Sequence, residues 1–223
     1  MTIVSYAHNF IFLKTVKTAG TSLEVHFSKL CGEQDVVTPL MPDEPALAGH
    51  RPRNYLDAQG EQVFHNHMPA ARLFARLDPA FVEKAYKFCF ERHPVDKCIS
   101  HFSMFNQSEF HQKDSDPRTW EDYVARGKFP INTGSYTGKD GALLVDRVYR
   151  YEEMETALRD ISRKTTLPYH ALGVRAKAGF RLQIEPTPEQ EAIIMTAFER
   201  SNRITGYTLE ERSPTPLSHR RHS

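Results

Sequence analysis

The stretch His8-Asn-Phe-Ile-Phe-Leu13 runs directly into Lys14-Thr-Val-Lys-Thr-Ala-Gly-Thr-Ser22. The first six residues form a short, mostly apolar run of the length of a buried strand. The next nine are small, polar or basic, which is typical of a tight turn. Apolar residues then recur at the spacing of one helix face: Leu23, Phe27 and Leu30. The sequence therefore predicts a strand, a polar turn and a helix at this point.

The same alternation continues along the chain. Further strands are predicted at Gln62–His67, Ala85–Phe90 and Val145–Tyr151. Helical patterns follow them, and the last clear helix begins at Pro188. Strands that alternate with helices favour a parallel sheet with helices on both faces, an α/β fold in a single domain over residues 1–212. The polar residues 213–223 are predicted to form a disordered tail.

Composition excludes several classes of protein. The 29 Lys and Arg residues nearly balance the 28 Asp and Glu residues, so the formal charge of +1 argues against a nucleic-acid binder. No stretch approaches the roughly 18 apolar residues that span a bilayer. The 3 cysteines show no CxxC spacing, which argues against a disulfide framework or a cysteine zinc site. Without a secretory signal pattern, we expect a cytoplasmic protein.

The turn after the first predicted strand has the features of an anion-binding loop. Its small residues let several main-chain N–H groups converge at a helix N-terminus, where an anion is favoured. Hydroxyl groups and a mobile lysine add further donors. The candidate ligand residues are Lys14, Lys17, Thr18, Ala19, Gly20, Thr21 and Ser22. The alternative is an ordinary strand-to-helix turn with Thr and Ser capping. The loop lacks the GxxxxGK[ST] pattern of nucleotide-triphosphate P-loops.

Two segments resemble sulfotransferases that use 3′-phosphoadenosine 5′-phosphosulfate (PAPS). Lys17-Thr-Ala-Gly-Thr-Ser22 resembles their 5′-phosphosulfate loop, with Val16 in place of the usual proline. Arg92, followed by Pro94 and Ser100, resembles their 3′-phosphate motif. The resemblance implies a P-loop-like sulfotransferase fold. It also implies PAPS as co-substrate, adenosine 3′,5′-bisphosphate as product, and no metal, with Arg92 and Ser100 on the 3′-phosphate.

A histidine pair, His65-Asn-His67, lies between the two anion motifs. On a strand, residues i and i+2 point to one face, and a neutral imidazole suits removal of a hydroxyl proton. The pair resembles the His-x-His of the heparan sulfate 2-O-sulfotransferase branch, which makes His67 the base and His65 a supporting group. The alternatives are a structural pair, or a zinc site completed by His50 or His101.

The resemblance also assigns residues and partners outside these motifs. Lys177 and Arg181 stand where related enzymes close over the nucleotide with basic residues. The acceptor is expected to be a hydroxyl group on a carbohydrate. Three other functions stay open at this point: a P-loop-type kinase or nucleotide hydrolase that needs magnesium, a non-catalytic module that binds an anion or nucleotide, and a zinc hydrolase.

Overall fold

The computed structural model describes residues 2–40, 51–107, 113, 115–172 and 181–211. The chain divides into two compact units. The first comprises Met1–His93 and Pro130–Gly179, and the second comprises Pro94–Phe129 and Phe180–Ser223. The expected single domain over residues 1–212 stays a prediction, and residues 213–223 lie outside the described residues.

The first unit contains a mixed sheet of five short strands. They are β1 (Thr2–Ser5), β2 (Phe10–Leu13), β3 (Val36–Val37), β4 (Tyr86–Glu91) and β5 (Arg147–Arg150). Their order is β3-β1-β2-β4-β5. Strand β4 pairs parallel to both β2 and β5, while β1 pairs antiparallel to β2 and β3. The α/β class is therefore confirmed, but the prediction of an all-parallel sheet is wrong at one edge.

The antiparallel edge follows from a short connection. Only four residues join β1 to β2, and a turn of that length can return a strand beside its predecessor but cannot cross over to a parallel one. The buried carboxylate of Asp35 fixes this turn. It accepts hydrogen bonds from the Ser5 hydroxyl at 2.7 Å and from the Tyr6 and Ala7 amides at 2.7 and 3.0 Å.

Helices surround the sheet in the first unit and build the second unit. In chain order they are α1 (Gly20–Ser28), α2 (Ala70–Phe74), α3 (Pro79–Lys84), α4 (Pro94–Gln107), α5 (Trp120–Arg126), α6 (Thr133–Tyr136), α7 (Met154–Lys164), α8 (Pro188–Ala197) and α9 (Glu199–Thr205). Helix α1 packs against β1, and α7 packs against β5. Within the described ranges, no helix is long and apolar enough to cross a membrane.

Aromatic side chains dominate the core of the first unit. The fully buried ring of Phe88 lies on β4 and contacts Phe10 and Phe12 on β2 and Phe27 on α1, with ring centroids 5.6–5.8 Å apart. Such tilted pairs add about 0.5–1.5 kcal/mol each beyond the area that they bury. Phe88 therefore joins the two central parallel strands to the helix that follows the first of them.

The second unit has a core of its own. Helices α4, α5 and α8 bury apolar side chains against one another, among them Ile99, Trp120 and Ile194. The Trp120 indole N–H donates to the Gln190 carboxamide oxygen at 2.9 Å. Gln190 also forms a capping box with Thr187 at the start of α8. The same side chain therefore caps the helix N-terminus and accepts the hydrogen bond from the indole.

We expect Phe88→Ala to lower the free energy of unfolding by about 3–5 kcal/mol, because the truncation leaves a cavity among at least three rings. Leu143→Ala is the control, since Leu143 is 47% exposed and its truncation should change stability by about 0.5 kcal/mol or less. The single tryptophan lies in the second unit, so urea unfolding should be followed by circular dichroism. A loss below about 1 kcal/mol would contradict the central place given to this ring.

Candidate anion-binding site

The loop between β2 and α1 has an unusual main-chain conformation. Lys17 and Ala19 both lie in the left-handed region, with φ of 63° and 56°. Only a few per cent of non-glycine residues adopt positive φ, and they concentrate where a structure holds a functional loop in place. Left-handed residues between right-handed ones turn successive N–H groups toward one side and so form a concave anion site. We call residues Lys14–Ala19 the anion loop.

Helix α1 continues this site. Its N-cap residue, Ala19, makes no side-chain capping hydrogen bond, and the first turn contains no acidic residue. Thr21 is half-buried and Ser22 is buried within that turn. A helix N-terminus without an acidic or capping side chain carries the partial positive charge that attracts an anion. The residues predicted to bind the phosphosulfate group therefore lie in the anion loop and in the first turn of α1, which follows it directly.

Hydroxyl groups fasten the anion loop to the neighbouring strand. The Thr15 hydroxyl donates to the main-chain carbonyl of Phe90, at the end of β4, and lies 2.8 Å from the Thr18 hydroxyl. The Thr18 hydroxyl in turn donates to the Thr15 carbonyl at 3.2 Å. Thr18 is only 1% exposed, so its hydroxyl stabilises the loop from within. Its predicted contact with a ligand through this hydroxyl stays a prediction.

Asn132, just before α6, holds the loop from another direction. Its carboxamide oxygen accepts from the Val16 amide at 3.0 Å, and its nitrogen donates to the Val16 carbonyl at 3.1 Å. The same nitrogen lies 3.5 Å from the buried carboxylate of Glu91, which accepts from the Tyr136 hydroxyl at 3.1 Å. Nothing in the sequence indicated this contact between residues 116 positions apart.

A buried ion pair lies below the helix start. The Lys14 ammonium is 2.9 Å from the Glu24 carboxylate, and the two side chains are 11% and 0% exposed. The stem of Lys14 passes so close to Gly20 that a Cβ there would lie 2.7 Å from Cγ and Cε of the lysine. Gly20 is thus required by the path of Lys14. The ammonium of Lys14 pairs with Glu24 inside the protein, and its predicted contact with a ligand stays a prediction.

The histidine pair is not on a strand. The predicted strand Gln62–His67 is wrong, because only Gln62 forms an isolated bridge, with Leu56, and the chain then turns. His67 itself is in the left-handed region, with φ of 55°. The expectation that both rings share one strand face therefore does not hold. Nδ1 of His65 lies 3.2 Å from the main-chain carbonyl oxygen of the next residue, Asn66.

His67 nevertheless lies against the anion loop. Its Nδ1 is 3.2 Å from the main-chain carbonyl of Lys14. A carbonyl can only accept, so Nδ1 carries the proton and Nε2 is the basic nitrogen. The turn that replaced the predicted strand thus orients one imidazole as a proton acceptor at the start of the loop.

The surroundings keep this imidazole neutral. Burial by the surrounding protein lowers the pKa of His67 from 6.5 to about 3, and the positive charge of Lys14 contributes to the same lowering. The hydrogen bond to the Lys14 carbonyl acts in the opposite direction. His67 is nevertheless an exposed residue, so its neutral imidazole is accessible to a substrate.

Arg92 lies at the same edge of the sheet as the anion loop. It follows β4, which pairs parallel to β2, and the carboxyl ends of adjacent parallel strands meet at one edge. Its guanidinium lies 4.6 Å from the centre of the Tyr151 ring, a cation–π contact that orients it. The two predicted anion motifs thus leave neighbouring strands in the same direction.

The other predicted nucleotide contacts lie in the second unit or outside the described residues. Ser100 is half-buried on α4 in the second unit. Arg181 is in that unit as well, and its guanidinium forms an ion pair with Asp96 at the start of α4. Lys177 lies outside the described residues. Ser100, Lys177 and Arg181 stay predictions as ligands.

The two residues proposed to complete a zinc site with the histidine pair are His50 and His101. In the part of the chain that the structure describes, no group of three His, Cys, Asp or Glu side chains is arranged to hold an ion. His101, one proposed zinc ligand, instead lies 3.0 Å from the Tyr123 hydroxyl through Nδ1. His50, the other, is outside the described residues.

Comparison with protein-family models gave no match, and comparison with curated proteins gave none. The function is therefore argued from the geometry of the site. A loop with two left-handed residues, one of them a lysine, can hold a phosphate or sulfate group where it runs into a helix N-terminus. The neutral imidazole beside them can remove a proton from a hydroxyl group.

We expect Gly20→Ala to destabilise the protein, because the new methyl group displaces the Lys14 stem from Glu24. Overpacking should cost about 1–3 kcal/mol, against about 1 kcal/mol or less gained from the helix propensity of alanine. Gly134→Ala in α6 is the matched control, since nothing lies within 4 Å of its Cβ. Urea unfolding measures both variants, and equal stabilities would contradict the constraint at Gly20.

His67 should show no titration between about pH 5 and 8, because its folded pKa lies near 3. The unfolded chain binds a proton near pH 6.5, so neutral His67 contributes stability above that pH, and this contribution is lost as the pH falls toward 3. Histidine Cε1–H resonances followed by NMR give the measurement, with His67→Gln identifying the signal. A midpoint near 6.5 would show that the ring is hydrated.

Proposed function

We propose that this protein is a PAPS-dependent sulfotransferase that transfers a sulfuryl group to a hydroxyl group. The observation that carries the proposal is the hydrogen bond from His67 Nδ1 to the Lys14 carbonyl. It holds a neutral imidazole beside the loop that binds the anion in this proposal. Transfer of a charged group to an alcohol needs both of these components.

The anion loop and α1 bind the phosphosulfate end of the co-substrate in this proposal. Main-chain N–H groups of the loop and of Gly20–Ser22, with the Thr21 and Ser22 hydroxyls, surround the anion. Arg92 binds the 3′-phosphate, because it leaves β4 at the same edge of the sheet and offers a forked donor. The P-loop-like sulfotransferase fold belongs to this proposal and would follow from it.

The chemistry divides between two side chains. Nε2 of His67 takes the proton of the acceptor hydroxyl while that oxygen forms its bond to sulfur. The bond between sulfur and the bridging oxygen of the 5′-phosphate breaks, and the electron pair leaves with that oxygen. Lys17 and the loop amides stabilise the negative charge on the leaving group, and such stabilisation is usually the main source of rate enhancement. Lysine takes the place that magnesium has in phosphoryl transfer.

The low pKa of His67 is compatible with this role. An imidazole with a pKa of about 3 is always neutral near pH 7, but it is a weak base. Negative charge close to the ring favours the imidazolium form and raises the pKa. Binding of an anionic nucleotide in the loop would therefore strengthen the base when it is needed. Lys14 contributes here through its carbonyl and its ion pair with Glu24, and its direct contact with the ligand stays a prediction.

The acceptor in this proposal is a carbohydrate hydroxyl, on the resemblance of the histidine pair to carbohydrate sulfotransferases. Asn132 binds the anion loop, and the residues that follow Asn132 would shape one side of the acceptor site. Ser100, Lys177 and Arg181 stay predicted ligands of the nucleotide.

Calorimetric titration of the full chain with adenosine 3′,5′-bisphosphate tests the proposal. We expect binding without magnesium, together with a rise in the pKa of His67 followed by NMR. Magnesium-dependent binding of ATP alone would instead favour a kinase or hydrolase. Binding of the bisphosphate, with no sulfuryl transfer from PAPS to any of a panel of carbohydrate acceptors, would favour a non-catalytic module. Absence of bisphosphate binding would overturn the proposal.

Lys17→Ala should reduce turnover by about 10²-fold or more while the affinity for adenosine 3′,5′-bisphosphate changes only a few-fold, because the ammonium group acts on charge that develops in the transition state. Lys29→Ala is the matched control, since Lys29 is an exposed lysine just after α1. The measurement is the rate of sulfuryl transfer from PAPS beside the calorimetric affinity. Unchanged turnover in Lys17→Ala would contradict the assigned role.

A further inference from the structure

The Asn132 side chain forms two hydrogen bonds with the main chain of the anion loop, as a residue of a neighbouring strand would. Its carboxamide has the same donor and acceptor as a peptide group, and it pairs with both main-chain groups of one residue, Val16, at 3.0 and 3.1 Å. Two parallel hydrogen bonds restrict rotation as well as distance. Asn132 is only 3% exposed, so water does not compete strongly for these bonds.

The orientation of this carboxamide is determined by its surroundings. The oxygen must face the Val16 amide, and the nitrogen must face the Val16 carbonyl. The Glu91 carboxylate, 3.5 Å from the nitrogen, also favours a donor at that position. The Tyr136 hydroxyl donates to the other carboxylate oxygen of Glu91 at 3.1 Å. Both Glu91 and Tyr136 are fully buried.

Several contacts hold the segment that follows Asn132 in place. Helix α6 begins immediately after it, and the Leu144 amide donates to the Tyr136 carbonyl at the end of that helix at 2.9 Å. An isolated bridge joins Thr137 to Leu143 just beyond. Helix α6 also contacts α2, which begins three residues after His67. One short helix therefore braces both the anion loop and the segment that carries the proposed base.

The valine at position 16 gives a reason why the loop needs a hydrogen-bonding partner such as Asn132. Proline usually occupies this position in the loops that the sequence resembles, and proline fixes φ and has no N–H group. Valine leaves φ free to vary and presents an N–H that needs an acceptor when it is buried. Asn132 supplies that acceptor and restricts the same stretch of main chain just before left-handed Lys17.

We propose that Asn132 is a positioning residue that holds the main chain of the anion loop in its ligand-binding conformation through Val16. The identity of the ligand rests on the proposed function, whereas the mechanical role does not. Asn132 acts through the loop, and no contact between Asn132 and the ligand is required.

The first test is hydrogen exchange of the full chain without any ligand. Asn132→Ala should increase the exchange rate of the Val16 amide by about tenfold or more, because its acceptor is removed. Asn106→Ala is the matched control, since the Asn106 carboxamide donates to the Phe102 carbonyl in the second unit. It should leave Val16 exchange unchanged. Equal protection of Val16 in wild type and Asn132→Ala would overturn the proposal whatever the protein binds.

The second test uses calorimetric affinity for adenosine 3′,5′-bisphosphate. Asn132→Ala should weaken binding by about tenfold, because the loop amides no longer converge. Adding Val16→Pro should restore much of this affinity in the Asn132→Ala background, but should weaken binding in the wild-type background, where it leaves the Asn132 oxygen without its donor. Asn106→Ala should combine additively with Val16→Pro.

The outcomes separate the two proposals. Equal weakening by Val16→Pro in both backgrounds would show that Asn132 does not act through the main chain at Val16, and this would overturn the positioning role. Circular dichroism identifies the variants that fold, and only these are compared. If Val16→Pro does not fold, hydrogen exchange in Asn132→Ala alone decides whether Asn132 has the positioning role. A wild-type protein that does not bind the bisphosphate would overturn the proposed function, while the exchange result still decides the role of Asn132.

Discussion

The parallel pairing of β2 with β4 is the constraint on which the rest of the first unit depends. Phe12 pairs with Phe88, and Leu13 pairs with Cys89, so both strands end at one edge of the sheet. The chain leaves each strand there with polar residues, and the Thr15 hydroxyl joins the two exits through the Phe90 carbonyl. Buried aromatic rings across these strands stabilise the pairing. A site at the carboxyl ends of parallel strands is the usual consequence of such a sheet.

Strain in the anion loop is offset by contacts from distant parts of the chain. Left-handed conformations at non-glycine residues such as Lys17 and Ala19 persist only where neighbouring groups hold them. Here Asn132 binds Val16 from one side, and Thr15 binds the end of β4 from another. These contacts hold the loop in one conformation, which would reduce the entropy cost of the binding that we propose.

Charges beneath the site are arranged so that they oppose an anion as little as possible. Glu24 and Glu91 are both fully buried near the loop, and uncompensated carboxylates there would repel a phosphate or sulfate group. Lys14 pairs with the first, and the Tyr136 hydroxyl donates to the second. Neutral His67 adds no positive charge of its own, so in the proposed function the attraction of an anion would depend on Lys17, Arg92 and the main-chain amides.

Local pattern was sufficient to predict β2, the anion loop, α1 and β4, because apolar spacing and small polar residues encode such elements directly in neighbouring residues. It did not predict β1, which has only two strongly apolar residues, or the turn that carries His67. Only the tertiary structure decided that His67 meets the Lys14 carbonyl and that Asn132 holds Val16. Both contacts join residues that are more than 50 positions apart, and hydrogen bonds between such residues depend on how whole elements pack rather than on any periodicity in the sequence.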